Sequence, residues 1–276
     1  MDAPAAEEVE LSPDGSYAFV RQFGADDIVV VDLATLTLDR VPVGQNPTDM
    51  DLTPDGRTIA VVSRGDQQVW MLDATNPFGD AVVVPFGQAY GSVLFAGTGD
   101  TALLYTNASL LDRFATWNVV TGEVTDHRLV KPVASIGVSP TGDSLLVFHT
   151  HADAVGADVE SPFYGEWALT LVDLDDLRQN PMLLPAEVSS YAVSDDGRYG
   201  FFIMEGERWL ETLLFETLLY EEIPLASDPV YLGVLPETNT AFASQEHDLG
   251  RISFYDADAD ALDTITGFEL NSEIEH

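Results

Sequence analysis

The chain has 276 residues, of which 46% are hydrophobic, and this is enough to build the core of a globular protein. Aspartate and glutamate number 47 against 11 lysine and arginine residues, so the formal net charge of −36 excludes a protein that follows nucleic-acid phosphates. No cysteine is present, which excludes disulfides, thiolate metal sites and a cysteine nucleophile. No apolar run is long enough to predict a transmembrane segment.

The first predicted elements lie within residues 11–33, which read LSPDGSYAFVRQFGADDIVVVDL. Residues 12–15 have the composition of a tight turn, because proline presets φ, aspartate bonds its own backbone and glycine accepts a positive φ. Two runs of β-branched and aromatic residues follow at 17–20 and 28–31, with a polar bend between them. This pattern predicts a hairpin of two buried strands that ends at Asp32.

The same pattern of turn and hairpin recurs along the whole chain. Its turn glycines are Gly15, Gly56, Gly99, Gly142 and Gly197, and a sixth copy begins near Pro236. A period of roughly 40 to 45 residues, with strands and turns and no helical pattern, is typical of a propeller whose blades are four-stranded sheets. We therefore predict an all-β, six-bladed β-propeller of four-stranded antiparallel blades. A seven-bladed propeller truncated at its N-terminal side is the alternative.

The repeated motif, SPDG followed by two valine-rich strands and an aspartate, resembles the YVTN-type β-propeller repeats of bacterial and archaeal cell-surface proteins. Residues 242–274, which include SQEHDLGRISFYD, are similar to the closing segment of propeller domains in myxobacterial surface proteins or lipoproteins. The resemblance covers nearly the whole chain. It implies a propeller fold and an extracytoplasmic location, at the cell surface, in the periplasm or secreted, but a fold does not define an activity.

We expect a single domain over residues 1–276, with blades at about 7–43, 47–84, 90–129, 131–184, 188–225 and 229–266. Residues 267–276 follow the last blade, and Phe268, Leu270 and Ile274 alternate there with polar residues. This alternation predicts a closing strand that joins the sixth blade to the first. The residues before the first blade have neither a basic start nor a hydrophobic stretch, so we expect that a leader is absent from this chain.

The acidity has two competing explanations. Carboxylates spread over a whole surface are tolerated in salty surroundings because ions screen their repulsion, whereas binding of divalent cations requires clusters. The carboxylates of this chain are mostly spread, and Lys131 is its single lysine. The sequence therefore favours adaptation to a salty environment.

The predicted fourth blade carries an insertion, residues 149–166, between its second and third strands. Long loops on a rigid scaffold often carry function. His149, His151 and Asp153 alternate along the insertion, and two imidazoles with a carboxylate can bind zinc or iron. The alternative is that His149 ends a strand while His151 and Asp153 are solvated. We expect both histidines to be exposed, so that alanine replaces them with little loss of stability.

A second metal hypothesis concerns Asp256, Asp258 and Asp260, which have the alternate spacing of the first half of a calcium loop. The central glycine and the final glutamate of such a loop are missing. The alternative is that Asp256 caps a turn through its own backbone. The aspartates at the same position of other blades are Asp32, Asp73 and Asp173.

Propeller geometry predicts which loops share a face. If the strands of a blade are called A, B, C and D in chain order, the B-to-C loops and the D-to-A links lie at one face. We expect a ligand to contact that face. The candidate ligand-binding residues there are Arg21, Arg64, Arg113, Arg208, Glu246 and His247. The alternative is that these residues indicate no ligand, because hairpin loops are polar in any propeller.

No catalytic motif is present, since the chain contains no GxSxG elbow, no glycine-rich phosphate loop and no HExxH. The sequence therefore favours a non-enzymatic binding or scaffold module. Its partner would be a protein, a small molecule or a carbohydrate, with no required cofactor and with calcium or zinc as the ions to consider. The alternative is a metal-assisted, lactonase-like hydrolase that uses His149, His151, Glu246 and His247.

Overall fold

The computed structural model describes residues 5–97 and 99–267. These residues form 24 strands and contain no helix. The strands are arranged in six four-stranded sheets in which every neighbouring pair follows chain order. This is the predicted fold class, a six-bladed β-propeller. The predicted closing strand comprises residues 267–276, of which all but Gly267 lie outside the described residues, so it stays a prediction.

The chain divides into two compact units, with Met1–Ile136 and Ala152–Val159 in unit 1, and Gly137–His151 and Glu160–His276 in unit 2. Unit 1 contains the first three sheets. The first sheet consists of β1 (Ala6–Leu11), β2 (Tyr17–Gln22), β3 (Asp27–Asp32) and β4 (Thr37–Pro42). The second consists of β5 (Pro47–Leu52), β6 (Thr58–Ser63), β7 (Gln68–Asp73) and β8 (Val82–Pro85). The third consists of β9 (Ser92–Ala96), β10 (Thr101–Tyr105), β11 (Arg113–Asn118) and β12 (Val124–Arg128).

The remaining sheets follow in chain order. Strand β13 (Val133–Val138) begins in unit 1 and ends in unit 2. The fourth sheet continues with β14 (Ser144–His149), β15 (Trp167–Asp173) and β16 (Gln179–Leu184). The fifth consists of β17 (Val188–Val193), β18 (Tyr199–Met204), β19 (Trp209–Leu214) and β20 (Leu219–Pro224). The sixth consists of β21 (Pro229–Val234), β22 (Thr240–Gln245), β23 (Arg251–Asp256) and β24 (Ala261–Thr266).

The turns between strands A and B are held by their own side chains, as the sequence predicts. In the first blade, Asp14 Oδ1 accepts hydrogen bonds from the Ser12 hydroxyl at 2.7 Å and from the Ser16 N–H at 2.9 Å. Gly15 has a φ of 71°, a conformation that other residues avoid. Each A-to-B turn of this type is therefore fixed locally and aligns the two strands that it joins.

The core of each unit lies between consecutive sheets and is built mainly from B and C strands. In unit 1, Phe19 and Ile28 of the first blade pack with Ile59 and Val61 of the second. All four side chains are fully buried. Truncating a residue such as Phe19 to alanine would cost about 3–5 kcal/mol, because a cavity replaces its contacts. The interior is therefore a rigid support for the loops at the strand ends.

Candidate functional site

Arg21, one of the predicted ligand-binding residues, forms two structural ion pairs. Its side chain is 12% exposed, and Nε lies 2.8 Å from Glu8 Oε2 while Nη1 lies 2.6 Å from Glu7 Oε2. Nη1 also donates to the main-chain oxygen of Pro47 at 3.4 Å. These bonds tie β2 to β1 and to the start of β5, so the charge of Arg21 is compensated within unit 1.

Arg64 and Arg113, also in unit 1, have a different environment. Among the described residues, carboxylates within 4.0 Å neutralise Lys131 and seven arginines. Arg251 bonds instead to two hydroxyl groups. Arg64 follows β6 and Arg113 begins β11, and neither guanidinium has a described carboxylate within that distance. Both arginines are partly exposed.

The predicted residues of unit 2 surround the loop after β22. Arg208 donates from Nε to Asp228 Oδ1, and the Asp228 carbonyl oxygen accepts the N–H of Glu246 at 2.8 Å. His247 Nδ1 accepts the N–H of Leu249 at 3.1 Å. Glu246 and His247 are exposed. These bonds fix the path of the loop, and a role of the three residues in ligand binding stays a prediction.

The expectation that His149 is an exposed loop residue is wrong. His149 is the last residue of β14, pairs with Ala168 of β15 and is 2% exposed. Its Nε2 lies 2.7 Å from the hydroxyl of Thr170, which is itself fully buried. The alternative, that His149 ends a strand, is confirmed, and the Thr170 hydroxyl provides a partner for the buried imidazole. His151 is exposed, and its ring centroid lies 5.7 Å from that of Trp167.

Asp153 is not a solvated loop residue either. Its Oδ1 lies 2.6 Å from the ammonium nitrogen of Lys131, and the two side chains are 15% and 1% exposed. A lysine is tolerated at such depth only when its charge is paired. The single lysine of the chain therefore holds part of the insertion in place.

The three aspartates of the predicted calcium site have other partners. Asp256 Oδ1 accepts the N–H groups of Asp258 and Ala259, each at 3.0 Å, which confirms the capping alternative for this residue. Asp258 Oδ2 accepts a hydrogen bond from Asn239 Nδ2 at 2.9 Å, and Asp260 Oδ1 accepts one from the hydroxyl of Tyr255 at 3.1 Å. In the part of the chain that the structure describes, no three His, Asp or Glu side chains form a group that could hold a metal ion. The zinc and calcium assignments stay predictions.

Sequence reasoning missed a cluster of partly buried carboxylates in unit 1. On β5, Asp49 Oδ2 accepts the N–H of Val93 at 2.8 Å and Asp51 Oδ2 accepts the N–H of Phe95 at 3.1 Å, so two side chains satisfy the open main-chain edge of β9. Burial, followed by the negative charge of Glu8, raises the pKa of Asp49 far above its usual range. The signal in the sequence is the alternation EVEL and DMDL in two predicted A strands, at residues 8–11 and 49–52.

Glu211, in unit 2, is a fully buried carboxylate. It lies on β19, is 1% exposed and shares its face of the sheet with the core residue Leu213. Burial raises the pKa of Glu211 to about 7. Tyr220 lies beside it, but neither Glu211 Oε2 nor the Tyr220 hydroxyl has a hydrogen-bond partner of normal geometry among the described residues. The carboxyl group is therefore expected to be protonated below neutral pH.

No helix of the described residues is both long and apolar enough to cross a membrane.

The comparisons with known proteins identify a fold class. No family model and no curated protein sequence matches the chain. Hydrazine synthase from Kuenenia stuttgartiensis is similar in structure, with a TM-score of 0.61 and 16% identity over 94% of this chain and 78% of that one. The Cps50 (Swd1) β-propeller domain of Myceliophteria thermophila has a TM-score of 0.57 and 11% identity, over 98% of this chain and 89% of that one. The chain is thus a β-propeller, and likeness at such identities shows the fold alone.

Proposed function

We propose that this chain is a non-enzymatic binding or scaffold propeller that meets its ligand or partner protein at the B-to-C loops. The observation that carries the proposal is the environment of Arg64 and Arg113. Most basic groups of this acidic chain have a carboxylate within 4.0 Å, whereas these two arginines at the ends of B-to-C loops have none among the described residues. An arginine without a counter-ion, positioned at the end of a strand, is available to donate hydrogen bonds to an external acceptor.

The same proposal includes a location at the bacterial cell envelope or outside the cell, in salty surroundings. Support comes from the resemblance of the repeats to those of surface proteins and from the formal charge of −36. Many surface carboxylates serve as turn caps and not as partners of cations; Asp32, for example, accepts the N–H groups of Ala34 and Thr35, both at 2.9 Å. Such carboxylates stay ionised and repel one another, and mobile ions reduce that repulsion.

A photo-crosslinking experiment in the native cell tests the binding surface. Leu110 and Val120 are exposed aliphatic residues, 48% and 77% exposed, at opposite ends of β11. A photoreactive amino acid at Leu110, beside the B-to-C loop, should form a defined adduct with a partner molecule. The same amino acid at Val120, in the C-to-D turn, should form none. Replacing Arg64 and Arg113 by glutamine should weaken the Leu110 adduct.

Two results would overturn the proposal. One is an adduct from Val120 that equals or exceeds the one from Leu110. The other is metal-dependent hydrolysis of a lactone or ester by the purified chain that His247→Ala abolishes, because this would make the hydrolase alternative the better account. Fractionation of the native cells tests the location, and recovery of the protein with the cytosolic fraction alone would contradict it.

A further inference from the structure

Two arginines are cross-strand neighbours in the third blade. Arg113 of β11 and Arg128 of β12 are Cα partners in an antiparallel pair, so their side chains leave the same face of the sheet. Residues in this relation have Cβ atoms about 5 Å apart, and like charges there are destabilising. The chain has only 11 basic residues against 47 acidic ones, yet it places two of them directly opposite each other.

The guanidinium of Arg113 is incompletely bonded. Its Nε is buried and has no hydrogen-bond partner among the described residues. Leaving a buried donor without an acceptor costs about 1–3 kcal/mol, and more when the group is charged. The side chain as a whole is partly exposed, so an acceptor can approach it from solvent.

The nearby carboxylates are already engaged by other donors. Asp126, on the same face of β12, accepts a hydrogen bond from the hydroxyl of Tyr90. Asp112 accepts one from Nε of Arg128 at 3.2 Å. The side chain of Arg128 is 79% exposed, so it can contribute further at the rim. The arrangement lacks an acceptor for Arg113 itself.

We propose that Arg113, with Arg128 at the rim, forms a binding site for an oxyanion, a carboxylate or phosphate group of a small ligand. The planar guanidinium donates two parallel hydrogen bonds to such a group, which also relieves the repulsion between the two arginines. This inference rests on the proposed function, because it names the chemical class of ligand at one of the B-to-C loop ends.

Thermal unfolding of the full chain in three salts tests the site. Sodium phosphate and sodium succinate are compared with sodium chloride at equal ionic strength and pH 7.5. At a concentration several times the dissociation constant, phosphate or succinate should raise the unfolding temperature by about 2–4 °C over chloride. The salt that gives the larger rise distinguishes phosphate from carboxylate recognition. Arg113→Gln should remove the rise, whereas Arg57→Gln, at an arginine that is 82% exposed, should keep it.

Arg113→Gln could fail to fold, so two further measurements decide the question. Isothermal titration of the wild-type chain with phosphate and with succinate should give saturable heats, and Arg128→Gln should weaken the affinity at least threefold. Equal unfolding temperatures in all three salts, or a full rise in folded Arg113→Gln, would overturn the site. Either result leaves the crosslinking from Leu110 unaffected, so failure of the oxyanion site is distinguishable from failure of the binding surface.

Discussion

Glu211→Gln should make the stability of the protein less dependent on pH. The side chain is 1% exposed, and burial raises its pKa from 4.5 in the unfolded chain to about 7 in the folded protein. A tenfold change in proton affinity is worth about 1.4 kcal/mol, so the folded state gives up about 3 kcal/mol when Glu211 ionises. Glutamine has nearly the same shape and is neutral at every pH.

The sign follows from the direction of the pKa. Well below pH 4.5 the carboxyl group is protonated in both states and costs nothing. The unfolded chain ionises as the pH rises through 4.5, whereas the folded protein keeps the proton until the pH reaches about 7, so stability is lost between these two values and levels off above them. The stability of the wild type relative to Glu211→Gln should therefore fall by about 3 kcal/mol between pH 4 and pH 8.5.

Urea unfolding followed by tryptophan fluorescence at a series of pH values measures this difference. Glu221→Gln, at an exposed position of the neighbouring strand β20, is the matched control and should follow the wild type. Partly buried carboxylates such as Asp49 contribute to the pH dependence of all three proteins, so the difference between the curves is the decisive quantity. Parallel curves for the wild type and Glu211→Gln would refute the reasoning, because they would show that Glu211 is ionised at no cost in the fold.

Three further outcomes are expected. Asp49→Asn should gain stability over the wild type as the pH rises above 4, because burial and a neighbouring glutamate raise the pKa of Asp49. Urea unfolding measures this gain, and Asp39→Asn, at an exposed position, is the control. An equal gain in both variants would contradict the prediction. His149→Ala should lower the free energy of unfolding by roughly 2–4 kcal/mol, because the Thr170 hydroxyl is left buried without this partner. His151→Ala should lower it by less than about 1 kcal/mol. Similar losses for both variants would show that the burial of His149 is unimportant. The unfolding temperature of the wild type should rise from low to near-molar sodium chloride through screening of self-repulsion, and a flat or falling curve in a thermal scan would argue against adaptation to salt.

The strands, the turns and the number of blades could be predicted from local pattern. Alternation of apolar residues determines which side chains a strand buries, and turn residues such as Asp14 and Gly15 act within a few positions of the chain. Both effects are local, so the period of the repeat was enough to predict six four-stranded sheets. The capping role of Asp256 was predictable for the same reason, since its partners lie two and three residues away.

The state of each polar side chain at the candidate site depended on the tertiary structure. His149, Lys131 and Glu211 have the sequence character of surface residues, yet all three are buried. Their partners or surroundings come from positions far along the chain, such as Thr170 for His149 and Asp153 for Lys131. Whether an arginine has a counter-ion is decided in the same way, by what packing brings within 4.0 Å, and this separates Arg21 from Arg113. The sequence alone determined the scaffold because strands and turns are specified by residues close together in the chain. The tertiary structure decided charge pairing and burial, because both depend on contacts between distant residues that only the folded chain creates.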